Sequence, residues 1–589
     1  MSENKDTSLT DHAMLVVWGQ YAHCLGLISA IEQIPLSQKT VHHSPQGKVI
    51  EFLVAMLGGL EYLKDISLSA RPLDKDQAVA RAWGQGGWAD HSGVSRTLSQ
   101  LSDADVEEIV VALERISQPL LDLEVEQALS SGGLVLDGDL TPRSVSNTSK
   151  SYPDAEYGHM NDRIQLGYQA AIVSLKSPTY GRIGLSAKQH SGKTVSATQA
   201  EALALEAERR LGRRPLRRTK MLAQRIEHMQ LLGQALSQKV ETAQRKLKLA
   251  QANLDEVAKQ LEKAHERLAT LQADYDERQR LERPHSYLAK ARREVAMYQT
   301  RFMRRRQAVD QATLWLTRQQ ARLYEWQDCK ALLEERLQRF QAENAVNPAP
   351  IQATFRLDAG FGTTENLALL IEMGYQVYTK PYGNWLSGVF AAMNDQKVGW
   401  QRVGDNAEMK ARKSGSLNEF PYPLDIGYQR FWIGNGYRFT ALLHFGDQPV
   451  TADLPAWFHD YNARQLIEAG NKEAKRVFEI RHLKVRSRPA LRLQEHFALF
   501  AANFVRFASK WLTDQCIHVP NGWENSAQPH VKEQVKIGAH APAQVEWHGQ
   551  DCLVRFDDRS VYAGRSFTIR RQIAIQLALP WKFAVFSPT

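Results

Sequence analysis

The spacing of apolar residues changes several times along the chain, and each spacing predicts a different kind of element. Over residues 1–128 apolar positions recur every three or four residues, as in GKVIEFLVAMLGGLEYLKDI, which predicts helices. Over residues 129–198 the short apolar runs GGLVLDGDLT, YQAAIVSL and GRIGLSA are separated by turn residues, which predicts a three-stranded meander. We therefore expect an N-terminal helical domain followed by the first strands of an α/β core.

Residues 199–345 carry the pattern of a long coiled coil. Apolar residues alternate between three- and four-residue steps over residues 247–275 and again over residues 288–333, as in the a/d seam of packed helices. Pro284 lies between the two seams, where a helix is expected to break. The pattern predicts an inserted antiparallel hairpin with arms of about 45 residues, which reach roughly 65 to 70 Å. A parallel dimer through either seam is the alternative.

Residues 346–515 return to strand and helix signals. IQATFRLDAGF alternates apolar positions, and TENLALLIEMGYQVYTK then predicts a helix followed by a strand. Between residues 381 and 450 aromatic residues alternate with Gly and polar residues, which predicts a small antiparallel β insertion. The expected fold class is therefore α/β, with a core in two pieces (129–198 and 346–515) and a C-terminal tail (516–589) that contains short strands.

Composition and charge narrow the class of protein. Apolar residues make up 43% of the chain and charged residues 24%, as in an ordinary globular protein. The net charge of +9 is compatible with a nucleic acid partner. The four cysteines are too scattered for a zinc site or a disulfide framework. The chain contains neither a long apolar run nor the layout of a signal peptide, so we expect a cytoplasmic protein without a membrane partner.

Three further segments have two interpretations each. RRLGRRPLRRTK (209–220) and RFMRRRQ (301–307) are dense in basic residues, and each is either a solvated helix face or a phosphate-binding surface. In the N-terminal domain, WADHSGVSRTLSQL predicts a turn followed by a short helix. That helix is either a packing element or a reader of a DNA groove, which would make residues 1–128 a DNA-binding domain.

Three acids occupy positions from which carboxylates can converge. Asp139, or its neighbour Asp137, ends the first predicted strand, Asp358 ends a later strand, and Glu468 lies on a predicted helix. Mg²⁺ prefers hard oxygen ligands, and a site for two such ions needs several carboxylates from separate elements. A single acid at a strand end more often bonds a turn, so these residues are informative only as a group.

The segment YNARQLIEAGNKEAK (461–475) adds a helical pattern to the acids. At about 100° per residue, Tyr461, Arg464, Glu468 and Lys475 project from one narrow face. The opposite face carries apolar residues that can pack on a core. The polar face is therefore either solvated or a site that combines one acid with phosphate-binding groups.

LDGDLT, FRLDAGFGTTENLALLIEMGYQVYTK and YNARQLIEAGNKEAK resemble the three acid-bearing motifs of bacterial insertion-sequence transposases of the DDE type. The third segment matches Tyr-x2-Arg-x3-Glu-x6-Lys, the signature of one large branch, and the resemblance covers roughly residues 45–510. It implies a ribonuclease-H-like core in which Asp139, Asp358 and Glu468 hold two Mg²⁺ ions, for which Mn²⁺ can substitute. Asp139 is preferred to Asp137 because only Asp139 fits the family pattern Asp-x-Thr.

The resemblance also implies partners and an activity. The protein would bind the terminal inverted repeats of its element in double-stranded DNA, cut them and join them to target DNA, as a homodimer at the bacterial nucleoid. Tyr461, Arg464 and Lys475 would grip phosphates, and Trp400 or Trp432 in the β insertion would stack on a flipped base. The long coiled coil departs from the family pattern. The alternatives are a ribonuclease-H-like nuclease without strand transfer and a domesticated DNA-binding or scaffold protein.

Overall fold

The chain forms two compact units in the computed structural model. The first comprises Met1–Leu216 with Ala349–Thr589, and the second is Arg217–Pro348. Helices and a mixed sheet form the first unit and two long helices form the second, so the predicted α/β class with a long helical insertion is confirmed. The structure describes residues 6–38, 42–146, 152–160, 163–383, 389, 399–415, 420–434, 436–515, 531–557 and 566–569.

The strands are, in chain order, β1 (Asp6–Thr10), β2 (Leu134–Ser144), β3 (Glu156–Met160), β4 (Arg163–Ser177), β5 (Gly181–Ser191), β6 (Ala353–Arg356), β7 (Gln376–Thr379), β8 (Gln401–Arg402), β9 (Ala407–Gly415), β10 (Leu424–Ile433), β11 (Gly436–Phe445), β12 (Ala543–His548), β13 (Asp551–Phe556) and β14 (Ser566–Ile569). The helices are α1 (Ala13–Cys24), α2 (Leu27–Glu32), α3 (Pro45–Leu57), α4 (Asp65–Leu68), α5 (Gln77–Ala82), α6 (His91–Gln100), α7 (Asp103–Ser130), α8 (Ala200–Leu211), α9 (Thr219–Glu277), α10 (Tyr287–Ala345), α11 (Thr364–Glu372), α12 (Leu454–Asn462), α13 (Gln465–Arg476), α14 (Arg488–Gln515) and α15 (Val531–Lys536).

A mixed sheet with the strand order β3-β4-β2-β6-β7-β11-β10-β9-β8 forms the centre of the first unit, and β5 also pairs with β4. β2, β6 and β7 run parallel to one another, whereas the other neighbours are antiparallel. Parallel neighbours need a long crossover connection. The connection from β2 to β6 contains α8 and the whole second unit, and the connection from β6 to β7 is α11.

The two faces of β2 have different roles. Gly138 faces α8, because a Cβ atom there would lie 2.6 Å from the Leu357 side chain and 3.4 Å from that of Leu203. Successive residues of a strand alternate between faces. Asp137 and Asp139 therefore project together from the opposite face of the sheet, toward α13.

The N-terminal helices belong to the same compact unit as this sheet. Phe52 of α3 lies 5.6 Å from Phe497 of α14 between ring centres, and Tyr21 of α1 lies 4.9 Å from Trp511. The helical pattern of residues 1–128 does not predict β1, which pairs with β12 in a second sheet of order β1-β12-β13-β14. Its five residues, DTSLT, are too few and too polar to show a strand period.

Four strands, β2 to β5, lie where the sequence predicts a meander of three. The additional strand is β3, which pairs with β4 alone among the described strands and has Met160 as its one buried residue. Because its residues EYGHM bury little apolar surface, no alternation marks it in the sequence. The C-terminal tail contributes β12, β13 and β14, while residues 516–530 and 570–589 of that tail lie outside the described residues.

The second unit is the antiparallel hairpin that the two seams predict. α9 and α10 each have 59 residues, about 88 Å at 1.5 Å per residue, and are therefore longer than the seams indicate. Trp326 of α10 crosses to α9, where its Nε1 donates to the Met229 carbonyl at 2.8 Å. Its ring lies over Gly233, where an added Cβ atom would be 2.1 Å from it.

The two ends of this hairpin are fastened to each other. The Arg217 amide donates to Asn344 Oδ1 at 2.8 Å, and Asn344 Nδ2 donates back to the Arg217 carbonyl at 2.9 Å. Arg217 Nε also bonds Glu343 at 2.6 Å, and its guanidinium lies 5.3 Å from the Phe340 ring centre. We call these four residues the clasp. Across the described part of the chain, no helix has the length and apolar character needed to cross a membrane.

Candidate active site

Strand register brings two of the three predicted acids side by side. In the parallel pair β2 and β6, Asp137 is opposite Arg356. Two residues further along, Asp139 and Asp358 stand at corresponding positions, and the two-residue period turns both toward the same face. Asp358 follows the end of β6, and the Phe361 amide donates to the Asp358 backbone carbonyl at 3.3 Å.

Helix α13 brings the third acid to the same face. Arg464, at its N-terminus, bonds Glu468 through Nη2 at 2.9 Å, and its Nη1 lies 4.0 Å from Asp139 Oδ1. Asn471, one turn after Glu468, donates from Nδ2 to Asp139 Oδ2 at 2.5 Å. The structure therefore brings Asp139, Asp358, Arg464 and Glu468 together from three separate elements.

The carboxylates of this site repel one another. Burial raises the pKa of Asp139 to about 7, the charge of Asp358 adds to the rise, and Arg464 opposes it. Burial also raises the pKa of Asp358, while Arg464 and the amides of Gly360 and Phe361 lower it. The nearby positive charge thus compensates only part of the negative charge of this cluster.

The donor chemistry of the site fits Mg²⁺. All three acids supply hard oxygen ligands, and Asp358 Oδ1 is buried without a hydrogen-bond partner among the described residues. The described side chains do not include three acidic, His or Cys groups already gathered around one point. Instead, Arg464 supplies the cation between Asp139 and Glu468. The Glu468 side chain is 45% exposed and can change its rotamer, so metal binding would require this ion pair to open.

The structure distinguishes the two aspartates of β2. Asp137 is almost fully buried, and both of its oxygens accept bonds of 2.7 Å from Arg356. Arg356 also donates to the Asp460 carbonyl at 2.6 Å. Asp137 therefore joins the core strands to α12, and each of its oxygens is engaged by the Arg356 guanidinium. Asp139 forms no such bidentate pair, and its neighbours are Asn471, Arg464 and the carboxyl group of Asp358. The choice of Asp139 as a metal ligand stays a prediction.

The segment 461–475 is not the single helix that its pattern predicts. α12 ends at Asn462 and α13 begins at Gln465, and between them the amides of Arg464 and Leu466 bond carbonyls three residues back. The chain breaks because the two helices bury their apolar residues in different clusters. Trp457 and Tyr461 pack with β9 and β11 residues, whereas Ile467 packs on β4 and β5.

This break changes the position of Tyr461. The tyrosine is buried, its hydroxyl donates to the Leu357 carbonyl at 3.2 Å, and Lys380 Nζ lies 5.4 Å from its ring centre. The phosphate grip predicted for Tyr461 is therefore not available in this arrangement, where the residue supports the strand end before Asp358. Arg464, Glu468 and Lys475 remain with α13, as predicted.

Two positive groups near the acids complete the site. Burial lowers the pKa of Lys475 to about 8, with Arg143 adding to that effect and Asp139 opposing it. Burial also lowers the pKa of Lys380, and Asp358 opposes that shift. Both amines therefore lie within electrostatic reach of the carboxylates without a close ion pair.

The two candidate aromatic residues have different surroundings. Trp400 lies beneath two basic groups, Arg430 at 4.5 Å and Lys410 at 5.2 Å from its ring centre. Trp432 is 51% exposed at the end of the β10–β11 hairpin, beside the exposed Tyr437. Among the contacts of the described residues, none joins either tryptophan to the three acids. Trp432 is the one whose ring is open to a ligand.

The sequence interpretation missed Asn471 and Lys380. Asn471 stands three residues after Glu468, on the same side of α13, and this spacing could have identified it. Lys380 directly follows β7, the parallel neighbour of β6, where ligand-binding groups commonly collect. Neither residue belongs to a pattern that is specific by itself.

Comparisons with known proteins add no family assignment. The chain matches no protein-family model, and no curated protein gives a significant match to it. The geometry of the site and the motifs of the sequence therefore carry the functional interpretation.

Proposed function

We propose that the chain is a DDE-type DNA transposase that binds the terminal inverted repeats of an insertion sequence, cleaves the DNA and transfers the strand. The observation that carries this proposal is that Asp139 and Asp358 face the side of the sheet on which α13 carries Glu468, and that the three acids interact electrostatically. These residues come from three separate elements and are the acids of the three transposase-like motifs. Their mutual repulsion is what a site for cations requires.

The strand arrangement supports a ribonuclease-H-like core. β2, β4 and β5 are antiparallel, and β6 and β7 extend the sheet in parallel through helical crossovers. Asp139 lies in the middle of β2, which continues to Ser144 and does not end at the acid as its sequence suggests, and Asp358 follows the end of the neighbouring β6. The crossovers leave α13 free to bring the third acid. The long hairpin enters between α8 and β6, after the antiparallel strands are complete.

Asp139, Asp358 and Glu468 would hold two Mg²⁺ ions, or Mn²⁺ in their place, which supply activation of water or a DNA 3′-hydroxyl for attack on a phosphodiester. The protein groups have separate tasks. Asn471 fixes the rotamer of Asp139 by its hydrogen bond. Arg464, released from Glu468, can bind two phosphate oxygens with its planar fork.

The partners follow from this chemistry. The substrate is double-stranded DNA, both element ends and target, and pairing of two ends requires a homodimer. Such a protein acts in the cytoplasm at the nucleoid. Lys475 contributes a positive charge to the DNA-binding face beside Asp139, and the exposed Trp432 can stack on an unpaired base.

The test is cleavage of duplexes that carry the two borders of the DNA element, with Mg²⁺, followed on denaturing gels. Asp139→Asn, Asp358→Asn and Glu468→Gln should each remove cleavage and strand transfer while DNA binding persists, because each loses a ligand charge at nearly constant volume. Glu473→Gln is the matched control, because it lies on α13 but pairs with Arg506 at 2.8 Å instead of facing the site.

The results separate the alternatives. Wild-type cleavage without joined products would favour a nuclease, and absence of cleavage by the wild-type protein would favour a scaffold. If Glu468→Gln cuts at the wild-type rate, the proposed site is wrong. The Glu473→Gln control should cut normally, which shows that loss of an acid from α13 is not sufficient to stop the reaction.

A further inference from the structure

The positive charge of the protein is concentrated in the hairpin. The unit Arg217–Pro348 contains 26 Lys and Arg residues against 17 Asp and Glu residues, which gives it a net charge of +9. The remainder of the chain contains 48 of each and is neutral. The net positive charge of the protein, on which its long-range attraction for a polyanion depends, therefore lies in the hairpin.

Within the hairpin the charge lies on one flank. Lys246 lies 4.7 Å from the Trp315 ring centre, and Arg267 lies 3.7 Å from Glu294, so these four residues mark one side of the seam. In a coiled coil, residues seven apart share a side. Arg301 follows Glu294 by seven residues and Arg322 follows Trp315 by seven, so both lie on this side. Arg304, three residues after Arg301, and Arg318, four residues before Arg322, form the neighbouring heptad row. We call this side the basic flank.

The two flanks differ strongly in charge. The basic flank consists of two heptad rows of each helix, those of Lys246 and Lys263 in α9 and those of Arg301 and Arg304 in α10. Over residues 239–267 and 290–325 these rows contain nine basic and three acidic residues. The opposite flank, marked by the 2.9 Å bond from Arg292 to Gln272, contains three basic and four acidic residues over the same span. Because both flanks have the same length and helix context, the difference is not a general property of a solvated coiled coil.

The basic residues of this flank are available to a partner. Arg304, Arg318 and Arg322 are exposed and have no acidic partner within the described residues. Lys246 and Arg301 contact aromatic rings instead of acids, Arg301 at 5.6 Å from Tyr298. Since the packing of the hairpin uses the seam, these charges contribute little to its stability.

We propose that the basic flank binds the sugar-phosphate backbone of double-stranded DNA, without reading its sequence. From Arg301 to Arg322 the flank extends about 32 Å, close to the roughly 34 Å of one DNA turn. A second copy of the chain is disfavoured on this surface, because two basic flanks repel each other. The identification of the polyanion as DNA rests on the proposed transposase function. The location of the charge on this flank rests only on the sequence and the contacts of the hairpin.

The experiment uses the full-length protein and a 40-base-pair duplex of random sequence, in EDTA so that cleavage does not contribute. The test variant combines Arg304→Gln, Arg318→Gln and Arg322→Gln. The matched control combines Lys248→Gln, Lys259→Gln and Arg306→Gln, which removes the same charge from exposed positions outside the basic flank. Gln has a helix propensity close to that of Arg and Lys, so both hairpins should fold, and circular dichroism checks this.

Binding is measured by fluorescence anisotropy from 50 to 300 mM salt. The test variant should lower the slope of log affinity against log salt by about 2.7, since each lost phosphate contact contributes about 0.9. The control should leave the slope within about 0.5 of the wild-type value. Equal losses in both variants, or no loss in the test variant, would overturn the proposal. A dimer that dissociates in the test variant alone, measured by light scattering without DNA, would also overturn it.

This result is independent of catalysis. If the basic flank binds random duplex but the wild-type protein does not cut element ends, the proposed function fails and the flank assignment stands. If the test variant keeps the wild-type salt slope while Asp139→Asn abolishes cleavage, the flank assignment fails and the proposed function stands.

Discussion

The two aspartates on one face of β2 should respond in opposite ways to the same substitution. Burial raises the pKa of Asp137 although Arg356 lowers it, but Asp137→Asn also leaves the buried guanidinium of Arg356 without its bidentate counter-ion. Breaking one side of a buried ion pair typically costs about 3 to 5 kcal/mol. Asn keeps the volume and one acceptor oxygen, so we expect destabilisation at the lower end of that range, at any pH where Asp137 is ionised.

Asp139→Asn should stabilise the protein without divalent ions. The pKa of Asp139 is raised from 3.8 to about 7, so the folded state holds the proton more tightly than the unfolded state. The ionised carboxylate therefore lowers the free energy of unfolding. This loss of stability is absent well below pH 4, grows as pH rises, and is complete above pH 7. At 1.36 kcal/mol per pKa unit, removing the carboxylate should increase stability by about 4 kcal/mol at pH 8 and about 2 kcal/mol at pH 5.

The assay is urea unfolding followed by tryptophan fluorescence at pH 5 and pH 8 in EDTA, repeated at pH 8 with Mg²⁺. The transition midpoint should fall for Asp137→Asn and rise for Asp139→Asn, more at pH 8 than at pH 5. Mg²⁺ should raise the wild-type midpoint by binding the folded state and should have little effect on Asp139→Asn. A lower midpoint for Asp139→Asn at pH 8 would refute the reasoning, because it would mean that its carboxylate is paired and stabilising.

Three further predictions concern the elements that we propose to bind DNA. Because burial lowers the pKa of Lys475 to about 8, this residue loses its charge between pH 7 and 9. The slope of log affinity against log salt for element ends should therefore fall by about one unit over that range. Lys475→Arg should keep the slope constant. Trp432→Ala should reduce affinity for an end with an unpaired base by about 1 to 3 kcal/mol at unchanged stability, whereas Trp400→Ala should lower the thermal midpoint. Replacing residues 250–311 by a short Gly/Ser turn should give a soluble protein that still cuts single ends but binds random duplex more weakly, measured by gel assay and anisotropy.

The elements that the sequence predicts well are those whose signal is repeated. The seams of α9 and α10 extend over many heptads, so two long helices follow from the period and the break between them follows from Pro284, while the antiparallel hairpin was the simpler of two arrangements. The mixed α/β class follows in the same way from separate strand and helix runs. β1 and β3 escape prediction because a five-residue edge strand buries too little apolar surface to leave a pattern.

The sequence indicated that the three acids lie near one another, but it did not indicate the contacts that support them. Period and motif indicate Asp139 and Glu468, yet the ion pair of Asp137 with Arg356 depends on strand register between residues 219 apart in sequence. The break before Gln465 depends on two distant clusters that compete for neighbouring apolar residues. Such information is tertiary, and a helical projection of one segment does not contain it.

The clasp at the base of the hairpin bears on the order of folding. Without it, the parallel pair of Asp137 and Arg356 must close a loop of 219 residues. We expect α9 and α10 to pair with each other first. The bonds between Arg217 and Asn344 then join the two ends of the insertion. The loop closed by the pairing of Asp137 with Arg356 then has an effective length of about 90 residues. Its closure costs about 0.8 kcal/mol less conformational free energy than closure of the full loop. An insertion of more than a hundred residues thus behaves kinetically as a short connection, and the central sheet can form at nearly the rate of a protein that lacks it.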